Sequence, residues 1–127
     1  MKVFDDSSLF YNKVINLIDL KDYDDAIKYI KKNINTLKRE DDIALAYLNC
    51  GFLNHKLGAY SSAIDDFTKT IYFESELEII NSRSKDISLS ARSNSRYENK
   101  DYKGAIEDKR KAIKIRLFEN DRSPELN

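Results

Sequence analysis

The chain has 127 residues, with 22 Lys and Arg against 22 Asp and Glu, so no overall field draws it to nucleic acid or an acidic membrane. Three glycines, one proline and 35% charged residues favour an all-α protein of a single domain. A single cysteine excludes an internal disulfide, and neither a secretory signal pattern nor an apolar run of about 20 residues is found. These features predict a cytoplasmic location.

The first predicted element is a pair of amphipathic helices between about residues 7 and 40. The first helix carries its apolar residues on one side: Leu9, Phe10, Val14, Leu17 and Ile18. Asp22 and Tyr23 open the second helix, which turns apolar residues inward: Ala26, Ile27, Ile30 and Ile34. Its basic residues point outward: Lys28, Lys31, Lys32, Lys38 and Arg39. We interpret this basic run as a solvated face, the usual role of such runs.

The central stretch, residues 45–71, has the pattern of two amphipathic helices joined by a tight turn. Its first helix ends at Leu57 and Gly58, because glycine adopts the left-handed backbone of a helix C-terminus most easily. Gly51 and Ala63 stand where the two helices face each other, and helices approach closely only where side chains are nearly absent. The sequence therefore predicts a tightly packed helical hairpin.

One pattern, Tyr-x-x-Ala-Ile-x-x-x-x-Lys-x-Ile, occurs three times along the chain. Its copies begin at Tyr23, Tyr60 and Tyr102, at intervals of 37 and 42 residues. Such a period is typical of helical repeats. Chance does not align three such sets, so the chain is predicted to consist of three related hairpins.

The hairpins resemble the tetratricopeptide repeat (TPR), whose consensus has an aromatic and Leu-Gly on the first helix and Ala and an aromatic on the second. The central copy matches at these positions: Tyr47, Cys50, Gly51, Ala63 and Phe67. It departs at Asn54, where an aromatic is usual, and at Ser75, where proline is usual. In the first copy Val14 replaces the glycine, so that hairpin is expected to splay or shift.

The resemblance implies a right-handed α-solenoid of three repeats, at about residues 7–40, 41–75 and 86–118. Residues 72–86 are expected to lengthen the preceding helix or to form a loop. In the third repeat Arg92 and Ser93 replace Leu-Gly, and Lys109 replaces the second aromatic. Its first helix, from about Ile87 to Glu98, is therefore expected to be the least stable element. Residues 119–127 are expected to form a frayed polar tail.

In such a solenoid the first helix of each repeat lines a concave groove that binds partners. Register on the shared tyrosine assigns ten residues to this groove: Tyr11, Asn12, Ile15, Leu48, Asn49, Phe52, His55, Lys56, Asn94 and Tyr97. Aromatic anchors and amides on one surface predict binding of a peptide or protein segment. The alternative is that Tyr11, Ile15 and Phe52 are simply packed between adjacent repeats.

One TPR subclass is a carboxylate clamp for chaperone C-terminal tails, which needs Lys, Asn, Asn, Lys and Arg at five positions. Those positions hold Tyr11, Ile15, Asn49, Ile87 and Ala91. Only Asn49 matches. Without cations to pair a terminal carboxylate, this function is not expected.

The sequence offers no catalytic constellation, so neither an enzyme nor a cofactor site is predicted. Cys50 and His55 lie five residues apart, about 140° apart on a helix, and cannot form a dyad. Cys50 is expected to be a small buried hydrophobe, and His55 a solvated or groove-facing side chain. Two acidic pairs, 65–66 and 107–108, are expected to face solvent or form salt bridges.

Two other functions remain open. The last helix is locally basic and could contact RNA through Lys103, Lys109, Arg110, Lys111, Lys114 and Arg116, with Arg92 and Arg96 nearby, although acidic residues interrupt the run. No further helix covers the last repeat. Its apolar residues could therefore dock on a second copy and give an isologous homodimer: Ile106, Ile113, Ile115 and Leu117.

Overall fold

A computed structural model describes residues 6–76 and 82–121 of the chain, and side chains within 8–74 and 85–117. The described residues form six α-helices: α1 (Asp6–Asp19), α2 (Tyr23–Asn33), α3 (Glu40–Lys56), α4 (Tyr60–Glu76), α5 (Ser82–Glu98) and α6 (Tyr102–Asp121), with a 3-10 turn (Ile34–Thr36) after α2. Each helix packs on its neighbours in sequence. The predicted all-α class is confirmed for this part of the chain. Within it, no helix combines the length and apolarity needed to cross a membrane.

The turns that join α1 to α2, α3 to α4 and α5 to α6 have one geometry. Each contains one residue in the left-handed conformation: Lys21 (φ 62°), Gly58 (φ 79°) and Lys100 (φ 68°). In each, the next N–H donates to the carbonyl oxygen five residues earlier, at 2.9, 2.8 and 2.8 Å. This bond closes the helix end in a Schellman motif. Because the left-handed residues are spaced like the tyrosines, the sequence repeat is also a backbone repeat.

Small residues set the contact between the helices of a hairpin. A Cβ on Gly51 would come within 2.6 Å of the Phe67 ring, so only glycine allows α3 and α4 to approach this closely. Ser93 occupies the same position in the third hairpin, where its hydroxyl donates to the Ala105 carbonyl oxygen at 2.7 Å. In the first hairpin Val14 is buried there, and α1 and α2 make far fewer close backbone contacts, consistent with the expected splay.

The N-terminal part of the molecule has an apolar core, formed by α1, α2, the 3-10 turn and α3. Its buried members are Phe10, Val14, Ala26, Ile30, Ile34, Leu37, Ala46, Cys50 and Leu53. Ile30 and Cys50 are fully buried, as predicted for a core isoleucine and a small hydrophobe. This core supplies the nondirectional burial that stabilises most small domains.

The C-terminal part also buries apolar residues, among them Phe67 and Leu89, but many of its buried side chains are polar. On α4, α5 and α6 these are Asp66, Thr70, Glu74, Asp86, Ser88, Ser93, Ser95 and Asp108, which we call the polar core. The apolar cluster in this part is small and consists of Ala63, Phe67 and Ala91, with Leu48 against it. Most of these polar groups are hydrogen-bonded, as burial requires.

The ends of the elements differ from expectation at the start of α5 and at the end of α6. α5 begins at Ser82, five residues before the expected start at Ile87. α4 continues to Glu76, so part of the interval 72–86 does lengthen it, while residues 77–81 lie outside the described residues. α6 continues to Asp121, so the first three residues of the predicted polar tail are helical; residues 122–127 also lie outside.

Candidate functional site

The ten predicted groove residues all lie on α1, α3 or α5, the first helices of the three hairpins, and we call this set of residues the A face. Six of them are exposed: Asn12, Ile15, Phe52, Lys56, Asn94 and Tyr97. Four are half-buried: Tyr11, Leu48, Asn49 and His55. The exposed and half-buried members have different contacts, so they do not serve one purpose.

Ile15, Phe52 and Asn94 occupy one register position in the three hairpins, and all three are exposed. Ile15 is 52% and Phe52 47% exposed, which is high for such large apolar side chains. The Phe52 ring stands edge-on to the buried Phe67 ring, with centroids 5.2 Å apart, so one side of it is held in place. A half-exposed ring on a rigid support is well suited to anchor a partner.

Tyr11 is a packing residue. Its hydroxyl donates to the Asp42 carbonyl oxygen at 2.7 Å, which ties α1 to the start of α3. Its ring also meets Phe10 edge-on, with centroids 4.9 Å apart. Burial, aided by the nearby carboxylates of Asp42 and Asp41, raises the pKa of the Tyr11 phenol. Of the two readings of Tyr11, packing between repeats is therefore the one that its contacts support.

His55 links two hairpins and is not a solvated side chain. Its Nδ1 atom lies 2.8 Å from Ser95 Oγ on α5, and its ring meets Tyr60 edge-on with centroids 5.1 Å apart. Lys56 is exposed, and its Nζ lies 5.7 Å from the centroid of the Tyr23 ring on α2. Neither contact was predictable from the sequence, because the partners belong to other helices.

A pocket of about 320 Å³ opens between α3, α4 and α5. Its lining residues are Asp41, Asp42, Ala44, Leu45, Leu48, Glu74 and Ile87. Leu45 and Ile87, at one register position in neighbouring hairpins, are 44% and 49% exposed. Sequence reasoning assigned only Leu48 of this set to the groove. Leu45 could have been found, since it lies three residues before Leu48 on the same helix face.

Glu74 contributes an unusual group to this pocket. The side chain is only 6% exposed, and its Oε1 atom has no hydrogen-bond partner in the described part of the chain. Burial raises the pKa of the Glu74 carboxyl, against the opposing hydrogen bond from Ser88 and the charge of Lys85. A buried acceptor without a donor is costly, so this atom calls for an explanation.

The acidic residues Asp66 and Asp108 are both only 1% exposed and form salt bridges, one of the two roles expected for them. Asp66 accepts from Lys31 Nζ at 2.7 Å and from Asn54 Nδ2 at 2.8 Å, which accounts for asparagine at the aromatic position. Lys31, placed in the solvated basic run, therefore joins α2 to α4. Its side chain is still 43% exposed, so Lys31 does face solvent, and the bond to a partner 35 residues away is a role that the sequence did not predict.

Arginines hold two further buried carboxylates, those of Asp108 and Asp86. Asp108 binds Arg92 through two bonds of 2.8 Å and Arg96 through one of 3.0 Å. Asp86 binds Arg116 at 2.9 and 3.1 Å. These arginines belong to the basic set considered for RNA contact, and each now has a carboxylate partner. The charge left for phosphates on α6 is correspondingly smaller.

Cys50 is inaccessible, and burial raises the pKa of its thiol to about 12. A thiol with such a pKa holds almost no nucleophilic thiolate at neutral pH. In residues 6–76 and 82–121, no group of three or more His, Cys, Asp or Glu is arranged to hold a metal ion.

The outer side of α6 carries a second apolar surface. Ile106, Ile113 and Leu117 are 54%, 43% and 58% exposed. Ile113 and Leu117 line a depression of about 390 Å³ together with three cations, Arg110, Lys111 and Lys114. This is the surface considered for self-association.

Comparison of the chain with protein-family models and with curated proteins finds no match.

Proposed function

We propose that this chain is a non-catalytic interaction module of three TPR-like repeats, stacked as a right-handed α-solenoid and acting in the cytoplasm. Its A face binds a peptide or a segment of another protein. The observation that carries the proposal is the pair Ile15 and Phe52, two large apolar side chains about half exposed at one register position of neighbouring hairpins. Exposed apolar surface of this kind marks interaction sites.

Three features support a peptide as the ligand. The repeated turn geometry supports a regular stack of hairpins, which presents equivalent residues at intervals. Phe52 is already held against Phe67, so binding costs little side-chain entropy. Asn12 and Asn94 are exposed amides that offer donors and acceptors to a peptide backbone.

Self-association is the second candidate, and the exposed apolar stripe on α6 favours it. Ile106, Ile113 and Leu117 follow one another at helical spacing, as an interface between helices requires. The three cations around the depression act against pairing of two identical copies through this stripe. We therefore rank this function below peptide binding.

The first test is a peptide-display selection against the native chain and against a variant with Asn49→Ala and Phe52→Ala. We expect one sequence class to be enriched by the native chain and lost in the variant. Tyr72→Ala is the matched control, because Tyr72 is an aromatic of similar exposure (60%) on α4. Far-UV circular dichroism confirms beforehand that all three chains are equally helical.

The outcomes separate the two candidates. Equal enrichment by the native chain and the double variant, or no enrichment at all, would overturn the proposal. Light scattering on the native chain then tests the second candidate. A dimer that becomes a monomer on Ile113→Lys and Leu117→Lys would make α6 the functional surface.

A further inference from the structure

The pocket between α3, α4 and α5, which we call the acid pocket, combines two kinds of lining. Three acidic residues, Asp41, Asp42 and Glu74, line it together with four apolar residues. The apolar members are Ala44, Leu45, Leu48 and Ile87. A pocket with this lining suits a group that is apolar along its length and cationic at its end.

The second observation is the buried oxygen of Glu74. The side chain lines the pocket, is 6% exposed, and leaves Oε1 without a hydrogen-bond donor among the described residues. Two cations of the chain act nearby: Arg39 binds Asp41 at 2.9 Å, and Lys85 acts on Glu74 by its charge. Neither donates a hydrogen bond to Oε1. A buried acceptor without a donor is stabilised most by a hydrogen bond from a charged donor, which a ligand could supply.

We infer that the acid pocket takes a basic side chain, Lys or Arg, of the peptide that lies on the A face. Leu45, Leu48 and Ile87 would pack against the methylene stem, and the Glu74 carboxylate, whose Oε1 atom is closed to solvent in this structure, would turn outward to accept a hydrogen bond from the cationic end. This inference rests on the proposed function, because it names the chemistry of the segment that the A face binds.

The pocket also lies in line with the apolar anchor. Leu45, Leu48 and Phe52 follow at spacings of three and four residues, so they share one face of α3. The seven helical steps from Leu45 to Phe52 cover about 10 Å of helix axis. An extended peptide covers that length in about three residues. The ligand should therefore carry Lys or Arg about three positions from an apolar residue.

The test starts from the peptides that the native chain enriches. A peptide with Lys at the selected position is compared with one that has norleucine there, which keeps the stem and removes the charge. Affinities are measured by fluorescence anisotropy for the native chain, for Glu74→Gln and for Asp65→Asn. Asp65 is the matched control, because it is an exposed carboxylate on the same helix.

We expect norleucine to weaken binding to the native chain by about tenfold or more, since a hydrogen bond between charged groups is lost. Glu74→Gln should weaken the Lys peptide by a similar factor and leave the norleucine peptide unchanged, and Asp65→Asn should behave as the native chain. The norleucine comparison needs no protein variant, so it remains decisive even if Glu74→Gln does not fold.

Two results would overturn the inference alone: enriched peptides without a basic residue at this spacing, or equal binding of the Lys and norleucine peptides. A Glu74→Gln chain that is folded but weakens both peptides equally would also overturn it. If no peptide is enriched, the proposed function fails, and this inference fails with it.

Discussion

The first and third hairpins have the same turn but bury side chains of different kinds. At the position where α1 buries Val14, α5 buries Ser93, whose hydroxyl bonds to a backbone carbonyl. Where α2 carries Tyr29 against the apolar core, α6 carries Asp108, held by Arg92 and Arg96. The backbone pattern is thus kept while the interior changes from apolar to ionic.

The comparison teaches that turn geometry and the size of facing residues specify this hairpin, and hydrophobicity alone does not. Apolar burial is nondirectional and contributes about 1.5–3 kcal/mol for a large side chain. A buried ion pair offsets its desolvation only with good geometry and complete hydrogen bonding. The polar core should therefore tolerate loss of a single partner less well than the apolar core tolerates loss of volume.

The largest expected effect is that of Asp108→Ala, which removes the acceptor for two arginines. Arg92 is only 12% exposed in its side chain, so its guanidinium would be left without its buried carboxylate partner. We expect a loss of about 4 kcal/mol in the free energy of unfolding, measured by urea denaturation. Glu107→Ala, at an exposed neighbour on the same helix, should change it by less than about 0.5 kcal/mol. Equal effects of the two substitutions would contradict the ionic account of the C-terminal interior.

The apolar core is tested by Ile30→Ala. Ile30 is fully buried, so the substitution leaves a cavity and should cost about 3 kcal/mol. Leu20→Ala is the control, because Leu20 is 70% exposed and should change stability by no more than about 0.5 kcal/mol. Labelling of the buried Cys50 thiol should become faster in Ile30→Ala, since Cys50 belongs to the same core. An unchanged labelling rate would show that the core does not open as one unit.

Ile30 and Asp108 also show which parts of the interior could be predicted from the sequence alone. Ile30 lies in a helical apolar stripe, which periodicity detects, and so its burial was predictable. Asp108 lies beside the charged residue Glu107, and its partners are 12 and 16 residues earlier on another helix. No local pattern reports such a pairing. Periodicity therefore predicted the hairpins, the close approach at Gly51 and the buried Cys50, but not the polar core.

The same limit applies to the candidate site. Register placed ten residues on α1, α3 and α5, because equivalent positions of a repeat share a face. The register could not show that the polar atoms of Tyr11 and His55 are hydrogen-bonded to residues of other helices. Nor could it show Glu74, which reaches the acid pocket from α4. Whether a residue packs within the protein or remains free to bind a partner depends on contacts between helices. Such contacts cannot be read from the pattern of a single sequence.

Glu74→Gln is expected to stabilise the chain at neutral pH by about 1 kcal/mol, because it removes a buried charge without an added cavity. Burial raises the pKa of Glu74 above its ordinary 4.5, so the folded chain binds this proton more tightly than the unfolded chain. In the native chain, the stability that comes from the protonated Glu74 carboxyl is present below pH 4.5 and is lost as the pH rises through the raised pKa, so the advantage of glutamine grows over the same range.

The measurement is the free energy of unfolding of both chains between pH 4 and pH 7. The difference should be largest at pH 7 and should vanish near pH 4, where the carboxyl is protonated. Asp41, Asp42 and Lys85 are also charged around this site and are the same in both chains, so their contributions largely cancel. A pH-independent difference would mean that the charge of Glu74 is not what destabilises the native chain.

The smallest expected effect comes from glycine at the left-handed positions of the first and third turns. Lys21 and Lys100 are exposed, with φ of 62° and 68°, a conformation in which a Cβ is unfavourable. Lys21→Gly and Lys100→Gly should each stabilise by about 0.5–1 kcal/mol, and Gly58→Ala should destabilise by a similar amount.

Because the turns are alike, Lys21→Gly and Lys100→Gly should stabilise the first and third hairpins by equal amounts, although the interiors of the two hairpins differ. If the chain unfolds as one unit, each should slow amide hydrogen exchange of the most protected sites in both hairpins by the same factor. If the third hairpin opens first, as expected from its weak helix α5, Lys100→Gly should slow exchange in α5 and α6 only. Lys21→Gly would then leave those helices unchanged, and the polar core would be an independently opening part of the molecule. Stabilisation of α5 and α6 by Lys21→Gly would contradict that separation, because it requires the apolar core to support the polar one.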